Sequence, residues 1–242
     1  MVTRTRVLHQ RNLAAGLALI LLLSASTSAA AATLRWIRTY NGAANDTDCS
    51  GGVAVARDGS IYVTGYTNVE GQSSNLLLRK YLATGALRWM RTYNVAADSI
   101  DSGSGVAIGP DGSVYVTGRT AVAPWEPSRA LLLKYSAGGA LQWMRSYKGA
   151  TSSTVDAYGV AVGPDGSVYV TGRTYVDGQC DNLLLLKYSA RGVRQWVKTY
   201  NGAANGYDFG FGVAAGPDGS VYVTGDTYVV GQSYNLLLLK YK

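Results

Sequence analysis

The sequence GPDGSVYVTG occurs three times without change, at residues 109–118, 163–172 and 216–225, and ARDGSIYVTG at residues 56–65 is a fourth, slightly altered copy. The tryptophans repeat at the same interval, 53, 54 and 53 positions, at Trp36, Trp89, Trp143 and Trp196. An internal period of this length is typical of propellers, solenoids and repeat arrays. The chain is therefore predicted to consist of four copies of one unit.

Each unit is predicted to form four short β-strands. In the first unit these are Val53–Ala56, SIYVTG at 60–65, NLLLRKY at 75–81 and ALRWMRTY at 86–93. Large and polar residues alternate in the last segment with the period of a strand, and no segment has a helical period. The Asp-Gly pair between the first two strands predicts a hairpin with a type I′ turn. Small residues in the first strand suit the crowded axis of a radial array, so we predict an all-β fold, a β-propeller with four blades of four antiparallel strands.

The two ends of the repeated region have complementary phases. LRWIRTY at residues 34–40 matches a lone fourth strand, and NLLLLKY at 235–241 matches a third strand. If the first segment joins the last blade, the ring closes and no long sheet edge stays open. We therefore expect the N-terminal strand to complete the fourth blade.

The repeated motifs resemble those of a known family. Tyr-Val-Thr-Gly after an Asp-Gly turn, Asn-Leu-Leu-Leu-x-Lys-Tyr and Gly-x-Leu-x-Trp are similar to the bacterial β-propeller repeat called the SBBP repeat, over residues 34–241. The resemblance implies an extracytoplasmic propeller and specifies no activity. The family pattern implies seven blades where this chain has four units, which leaves open a ring of eight blades made from two chains.

The first 32 residues have the pattern of a secretory signal peptide. Arg4, Arg6 and Arg11 precede an apolar run from Leu13 to Leu23, and small residues follow up to Ala32. The apolar run is shorter than the roughly 20 residues of a membrane-spanning helix. We expect cleavage near Ala30 or Ala32, no stable membrane insertion, a propeller domain at 33–242, and a protein that is secreted, periplasmic or held at the cell surface.

Composition excludes several classes of function. Of the 242 residues 47% are hydrophobic, and the 30 glycines keep no three-residue period, so neither a disordered nor a collagen-like chain is expected. His9 is the only histidine and lies in the predicted signal peptide. Removing that segment leaves 19 basic and 15 acidic residues, a net charge of +4 without a basic run. No nucleic-acid partner is therefore expected.

Variation between the units is concentrated in the loops from the second to the third strand and from the fourth strand to the next first strand. Both kinds of loop lie on one face of a propeller, which we call the loop face. Directly after the repeated glycines Gly65, Gly118, Gly172 and Gly225, which we expect at strand ends, the four units differ. The residues there, predicted to bind a ligand, are Tyr66, Arg119, Arg173 and Asp226.

Trp125 is the fifth candidate ligand-binding residue. It lies between Pro124 and Pro127 in a loop that departs from the pattern of the other units. Two prolines stiffen the loop, so a presented Trp125 suits binding of a protein or a carbohydrate, whereas packing over its own loop is the alternative. Further aromatic residues could extend the same surface: Tyr158, Tyr175, Tyr207, Phe209 and Tyr228.

Aspartates are frequent in the loops from the fourth strand to the next first strand, and they allow three interpretations. Loop capping is the first, because Asp and Asn side chains hydrogen-bond local backbone. Calcium binding is the second, although EF-hand spacing is absent, so we expect no cofactor, with Ca²⁺ as the alternative. Catalysis by a carboxylate pair, with Asp101, Asp156 or Asp208 as acid and base, is the third. The loop aspartates to which capping or calcium binding could apply are Asp46, Asp48, Asp98, Asp101, Asp156 and Asp208.

Cys49 and Cys180 are predicted on the loop face in blades that are not neighbours. A disulfide within the chain is not expected, since it needs Cα atoms within about 7 Å.

The sequence favours an exported, non-catalytic binding or scaffold propeller that recognises a protein or glycan. A polysaccharide hydrolase or lyase and a structural surface repeat are the alternatives, and a monomer and a two-chain ring both remain open.

Overall fold

Fifteen β-strands form four antiparallel sheets, one for each repeat, in a computed structural model that describes residues 32–96, 99–121, 123, 125–149 and 153–242. The predicted signal peptide lies almost wholly outside the described residues. Residues 36–242 form one compact unit. The strands are β1 Asp48–Val55, β2 Ile61–Val69, β3 Ser73–Tyr81, β4 Leu87–Tyr93, β5 Ile100–Ile108, β6 Val114–Ala121, β7 Arg129–Tyr135, β8 Leu141–Tyr147, β9 Val155–Val162, β10 Val168–Val176, β11 Cys180–Tyr188, β12 Arg194–Tyr200, β13 Asp208–Ala215, β14 Val221–Val229 and β15 Ser233–Tyr241.

The strands pair in chain order within each sheet. Sheet 1 is β1-β2-β3-β4, sheet 2 is β5-β6-β7-β8, sheet 3 is β9-β10-β11-β12, and sheet 4 is β13-β14-β15. The first strands lie side by side, since β1 packs on β5, β5 on β9 and β9 on β13. The predicted all-β class and the order of strands within each repeat are confirmed.

The core consists of three layers, one between each pair of neighbouring sheets. Between sheets 1 and 2, Leu76 and Leu78 of β3 pack against Val114 and Val116 of β6. Equivalent layers lie between sheets 2 and 3 and between sheets 3 and 4. Because an inner sheet is covered on both faces, its third strand is a continuous apolar run, such as Leu183–Leu186.

Close approach of the first strands depends on glycine. A Cβ atom on Gly51 would collide with the backbone carbonyl oxygen of Gly103 in the neighbouring sheet. The small residues of the first strands therefore allow these strands to pack together, as their composition predicts.

The Asp-Gly hairpins differ from the predicted type I′ turn. Gly59 has φ of +78°, but Asp58 is not among the residues with positive φ. Gly59 N–H donates to the Ala56 carbonyl and Ala56 N–H to the Ser60 carbonyl, which is a type I turn followed by a left-handed glycine. Asp58 instead accepts hydrogen bonds from the Ser60 N–H at 2.9 Å and hydroxyl at 3.0 Å. The type I′ prediction is wrong because the aspartate acts through its side chain.

Closure of the ring by residues 34–40 is not confirmed. Sheet 4 has three strands, and residues 34–40 belong to no strand. Trp36 packs instead on Gly85 of sheet 1, and Arg38 Nε donates to the Gly85 carbonyl at 2.7 Å. Within the described residues, β13 does not pack on β1 as the other neighbouring first strands pack on each other.

Candidate functional site

A cavity of about 740 Å³ lies among the first two strands of the sheets, at their loop-face ends. We call it the inner-strand cavity, and all four sheets contribute to its lining. The lining residues are Thr47, Cys49, Ser50, Gly51, Gly65, Tyr66, Asn68, Ser74, Ser102, Gly103, Ser104, Arg119, Asp156, Ala157, Tyr158, Arg173 and Phe211.

Four cross-strand pairs, one in each sheet, give the loop-face ends of these strands their different chemistry. Each pair joins a residue of the first strand to the residue that follows the repeated glycine in the second strand. The pairs are Cys49 with Tyr66, Ser102 with Arg119, Asp156 with Arg173 and Phe209 with Asp226. A repeated scaffold therefore carries a different pair of side chains at the same place in every sheet.

The expectation that the repeated glycines end the second strands is wrong. β2 continues from Gly65 to Val69, and β6 continues from Gly118 to Ala121. A Cβ atom on Gly118 would collide with the Ser102 carbonyl at a bulge in β5. Arg119 and its equivalents are therefore held in paired strands, where the backbone fixes their positions.

The structure brings three of the five predicted ligand-binding residues together. Tyr66, Arg119 and Arg173 line the inner-strand cavity, whereas Asp226 and Trp125 do not. Trp125 is 84% exposed in the loop between β6 and β7. Ser128 of that loop donates to Asp156 Oδ1 at 2.7 Å, so the loop is attached to sheet 3 beside the cavity.

Arg173 is already bound to two carboxylates. Its Nε and one Nη donate to Asp156 Oδ2 at 2.9 and 2.7 Å, and its other Nη donates to Asp181 Oδ2 at 2.7 Å. Burial disfavours the charged guanidinium, but the hydrogen bonds to Asp156 and the negative charges around it, those of Asp156 and Asp181 included, together outweigh burial and raise the pKa of Arg173. Three of its five N–H donors are occupied. Arg173 therefore stabilises the cavity wall and has no free pair of N–H donors for a bidentate contact with a ligand.

Arg119 differs from Arg173 in having no carboxylate partner. Its side chain is exposed, and it belongs to none of the four ion pairs found among the described residues. A hydrogen bond with the Cys49 thiol raises the pKa of Tyr66, and the positive charge of Arg119 opposes that rise. The cavity therefore has an unpaired positive charge close to a neutral phenol.

A continuous row of aromatic rings starts in the cavity and continues over the loop-face end of sheet 4. The ring centroid of Tyr158 lies 5.7 Å from that of Phe211, and the ring centroid of Phe211 lies 5.9 Å from that of Phe209. Tyr207 and Tyr234 both contact Phe209, and Tyr228 contacts Tyr234. Four of the five predicted aromatic residues lie in this aromatic row, and Tyr175 does not.

The described loop aspartates have two kinds of role, and the candidate Asp98 lies outside the described residues. Asp48, Asp101 and Asp208 occupy equivalent positions, and each accepts a hydrogen bond from the backbone N–H six residues earlier, at 2.6 to 3.0 Å. They therefore cap their loops, as the first interpretation predicts. In sheet 3 Val155 occupies this position, and Asp156 follows it. This one-residue shift turns the Asp156 carboxylate to Arg173.

Sequence reasoning missed three residues of the site, namely Asp181, Phe211 and Tyr234. Asp181 and Tyr234 occupy equivalent places in their sheets, where sheet 1 has Ser74. Each is the only residue of its type at that place, and this difference between the units is the signal that could have identified them.

Clusters of metal ligands and disulfides are absent from the described residues. No group of three or more His, Cys, Asp and Glu side chains suited to a metal is found in that part of the chain. Cys49 and Cys180 are both free, in agreement with the expectation against a disulfide. The same residues contain no helix that is long and apolar enough to cross a membrane.

Comparisons with known proteins concern the fold. A family model described as a domain of unknown function (DUF5122) beta-propeller matches residues 56–87. No curated protein sequence matches the chain. The short family match supports a β-propeller family and does not distinguish the SBBP repeat.

Similar solved structures include carbohydrate-active and carbohydrate-binding proteins. Xylan beta-1,4-xylosidase from Bacillus halodurans C-125 is 14% identical with a TM-score of 0.44, over 80% of this chain and 42% of that one. A bifunctional GH43-CE protein of Bacteroides eggerthii is 13% identical with a TM-score of 0.44, over 78% and 24%. A fucose lectin from Kordia zhangzhouensis is 14% identical with a TM-score of 0.37, over 62% and 99%. The chain spans less than half the length of the first two. The four antiparallel sheets and the short family match together indicate an all-β, propeller-like fold.

Proposed function

We propose that the protein is an exported, non-catalytic propeller that binds a carboxylate-bearing glycan at the inner-strand cavity. The observation that supports this function best is the combination of an unpaired Arg119 with the aromatic row that starts at Tyr158 and Phe211. Sugar rings pack their apolar faces on aromatic side chains, and a guanidinium binds a carboxylate through paired hydrogen bonds. Export rests on the signal-peptide pattern of residues 1–32.

The guanidinium of Arg119, which has no carboxylate partner among the described residues, favours an acidic glycan over a neutral one. Arg173 is instead paired with two carboxylates, Asp156 and Asp181, and these three side chains together have a formal charge of −1. A carboxylate on the ligand would supply the partner that the described protein residues do not. The aromatic row is long enough to contact more than one sugar ring, because it links six side chains.

A non-catalytic role is proposed because the described lining of the cavity contains one carboxylate, Asp156, and that carboxylate is paired with Arg173. Glycoside hydrolysis usually needs two carboxylates, one on each side of the scissile bond. Asp101 and Asp208, the other candidates, are buried and hold their loops. No specific observation therefore favours the hydrolase alternative.

An array of uronate-containing oligosaccharides, printed beside neutral oligosaccharides of the same length, tests the proposal. Retention of the acidic members without release of shorter sugars is expected. Retention of the neutral members alone would contradict the charge argument, turnover would show an enzyme, and absence of binding would favour the structural alternative.

A further inference from the structure

The two ends of the row of sheets expose apolar surfaces of the kind that is buried between the sheets. Leu76 and Leu78 of sheet 1, and Leu183 and Leu185 of sheet 3, are completely buried against the next sheet. Their equivalents in sheet 4 are Leu236 and Leu238, which are 81% and 66% exposed. The outer surface of sheet 4 is therefore exposed, whereas the equivalent surfaces of sheets 1, 2 and 3 are each covered by the next sheet.

Sheet 1 exposes the complementary surface. Val213 and Ala215 of sheet 4 pack against sheet 3, in the layer between these two sheets. Their equivalents in sheet 1 are Val53 and Val55, each 66% exposed. The chain thus carries both halves of the interface that it forms between its own sheets.

Residues 36–40 already occupy part of that interface. Arg91 Nε donates to the Gly139 carbonyl at 2.8 Å, and Arg145 Nε to the Gly192 carbonyl at 2.7 Å, so each fourth strand contacts the next sheet in the same way. Arg38 makes the same hydrogen bond to Gly85, as described above. The segment therefore has the position of a fourth strand without the other three strands of its sheet, while sheet 4 has three strands and no fourth one in the part of the chain that the structure describes.

We infer that sheet 4 of a second copy of this chain packs on sheet 1 and pairs its β15 with residues 36–40. The register follows from sheet 1, where Leu78 is opposite Arg91 and Lys80 is opposite Trp89. The same register places Leu238 of one copy opposite Arg38 of the other, and Lys240 opposite Trp36. A second copy is the occupant because the surfaces repeat those of this chain and, among the described residues, no strand of its own sheet 4 packs on sheet 1 as neighbouring sheets pack on each other.

Two copies joined in this way at both ends form a closed ring of eight sheets. Head-to-tail contacts close into a ring when their rotation permits and otherwise continue as a filament. Closure by the second copy also covers the free edge of β15, which would otherwise present unpaired backbone groups.

Mixed cross-linking tests the inference on the full chain with Cys49 and Cys180 replaced by serine. One preparation carries Arg38→Cys, a second carries Leu238→Cys, and the two are mixed before oxidation. A covalent dimer in the mixture, and in neither preparation alone, is expected, together with twice the monomer mass by light scattering. Thr39→Cys mixed with Leu238→Cys is the control, because residue 39 directs its side chain to the other face.

Other outcomes overturn the inference. A monomeric mass with a disulfide formed only when both cysteines are in one chain would show that the chain closes on itself. A ladder of larger products would show a filament, and a monomer without cross-linking would show that sheet 4 has a different cover. Leu238→Glu provides a second test, since it should halve the mass while Trp125→Glu, at another exposed apolar residue, should not.

Discussion

Gly118 shows how a single residue fixes the shape of the binding surface. A side chain there would meet the backbone of Ser102, and backbone cannot move aside as a flexible side chain can. We predict that Gly118→Ala lowers the free energy of unfolding by about 3 kcal/mol or more, since overpacking usually costs about 1–3 kcal/mol. Urea unfolding measures the change. Gly138→Ala is the matched control, because its Cβ atom would lie 3.7 Å from the nearest atom, and a loss as large as that of Gly118→Ala would contradict the account.

Trp125 is a second residue whose role can be separated from the fold. Its side chain is mostly exposed, so Trp125→Ala should change the free energy of unfolding by less than about 0.5 kcal/mol. Thermal melting measures this. A clear drop in melting temperature would mean that the Trp125 side chain packs over its own loop, which is the alternative to a ligand-binding role.

Hairpins are the elements in which pH should matter. Hydrogen bonds from the Ser60 N–H lower the pKa of Asp58, and those from Ser167 and Ser220 lower the pKa of Asp165 and Asp218. A carboxyl group whose pKa is lower in the folded state stabilises the fold above its unfolded pKa, about 3.9, and loses this effect as the pH falls. Melting temperature should therefore decrease below about pH 4.

Asp165→Asn checks the origin of that decrease. The variant lacks one of the titrating carboxylates, so its melting temperature should fall less steeply between about pH 4 and pH 2.5 than that of the unmodified protein. Asp177→Asn, at an exposed turn, is the control. Equal slopes for the unmodified protein and Asp165→Asn would rule out the hairpin as a source.

Fourth strands should contribute unequally to stability. Trp143 contacts Tyr115 at 5.9 Å within its sheet and also packs on Gly192 of the next sheet. Trp36 packs on Gly85 and is 38% exposed. Loss of a core Trp costs about 3–5 kcal/mol, so in the Leu238→Glu background, where no second copy covers residues 36–40, we expect about 3 kcal/mol for Trp143→Ala and roughly half of that for Trp36→Ala. Equal losses in urea unfolding would show that residues 36–40 are as firmly held as a paired strand.

Local patterns predicted the order of strands well, because alternation and turn residues act within a few positions of each other. The lengths of the second strands were not predictable in this way. Gly65 looks like a strand end, but the bulge that requires it lies in the partner strand, at Ser50 to Gly52. The Arg173 network was also hidden, since it joins residues 156, 173 and 181 from three strands. Whether the ring closes depends on which surface covers sheet 1, and the phase of the repeat does not determine that surface.

Across the whole molecule, the repeated scaffold and the residues unique to each unit have separate roles. Glycines, hairpin aspartates and fourth-strand tryptophans recur and build the sheets and the layers between them. The cross-strand pairs and the aromatic row differ between units, and three of the four pairs line one cavity together with Tyr158 and Phe211. Recognition is therefore expected to depend on the unique residues, and stability on the repeated ones.

The most direct test of this separation is to probe one array of uronate-containing oligosaccharides in parallel with the unmodified protein, Arg119→Gln and Arg88→Gln. Arg88 is an exposed arginine on β4, outside the cavity lining. We predict about tenfold or greater loss of binding for Arg119→Gln, because a charge-assisted hydrogen bond contributes about 1.5–3 kcal/mol. The melting temperature of Arg119→Gln should be unchanged, and Arg88→Gln should bind as the unmodified protein does. Undiminished binding of the acidic glycans by Arg119→Gln would contradict the prediction.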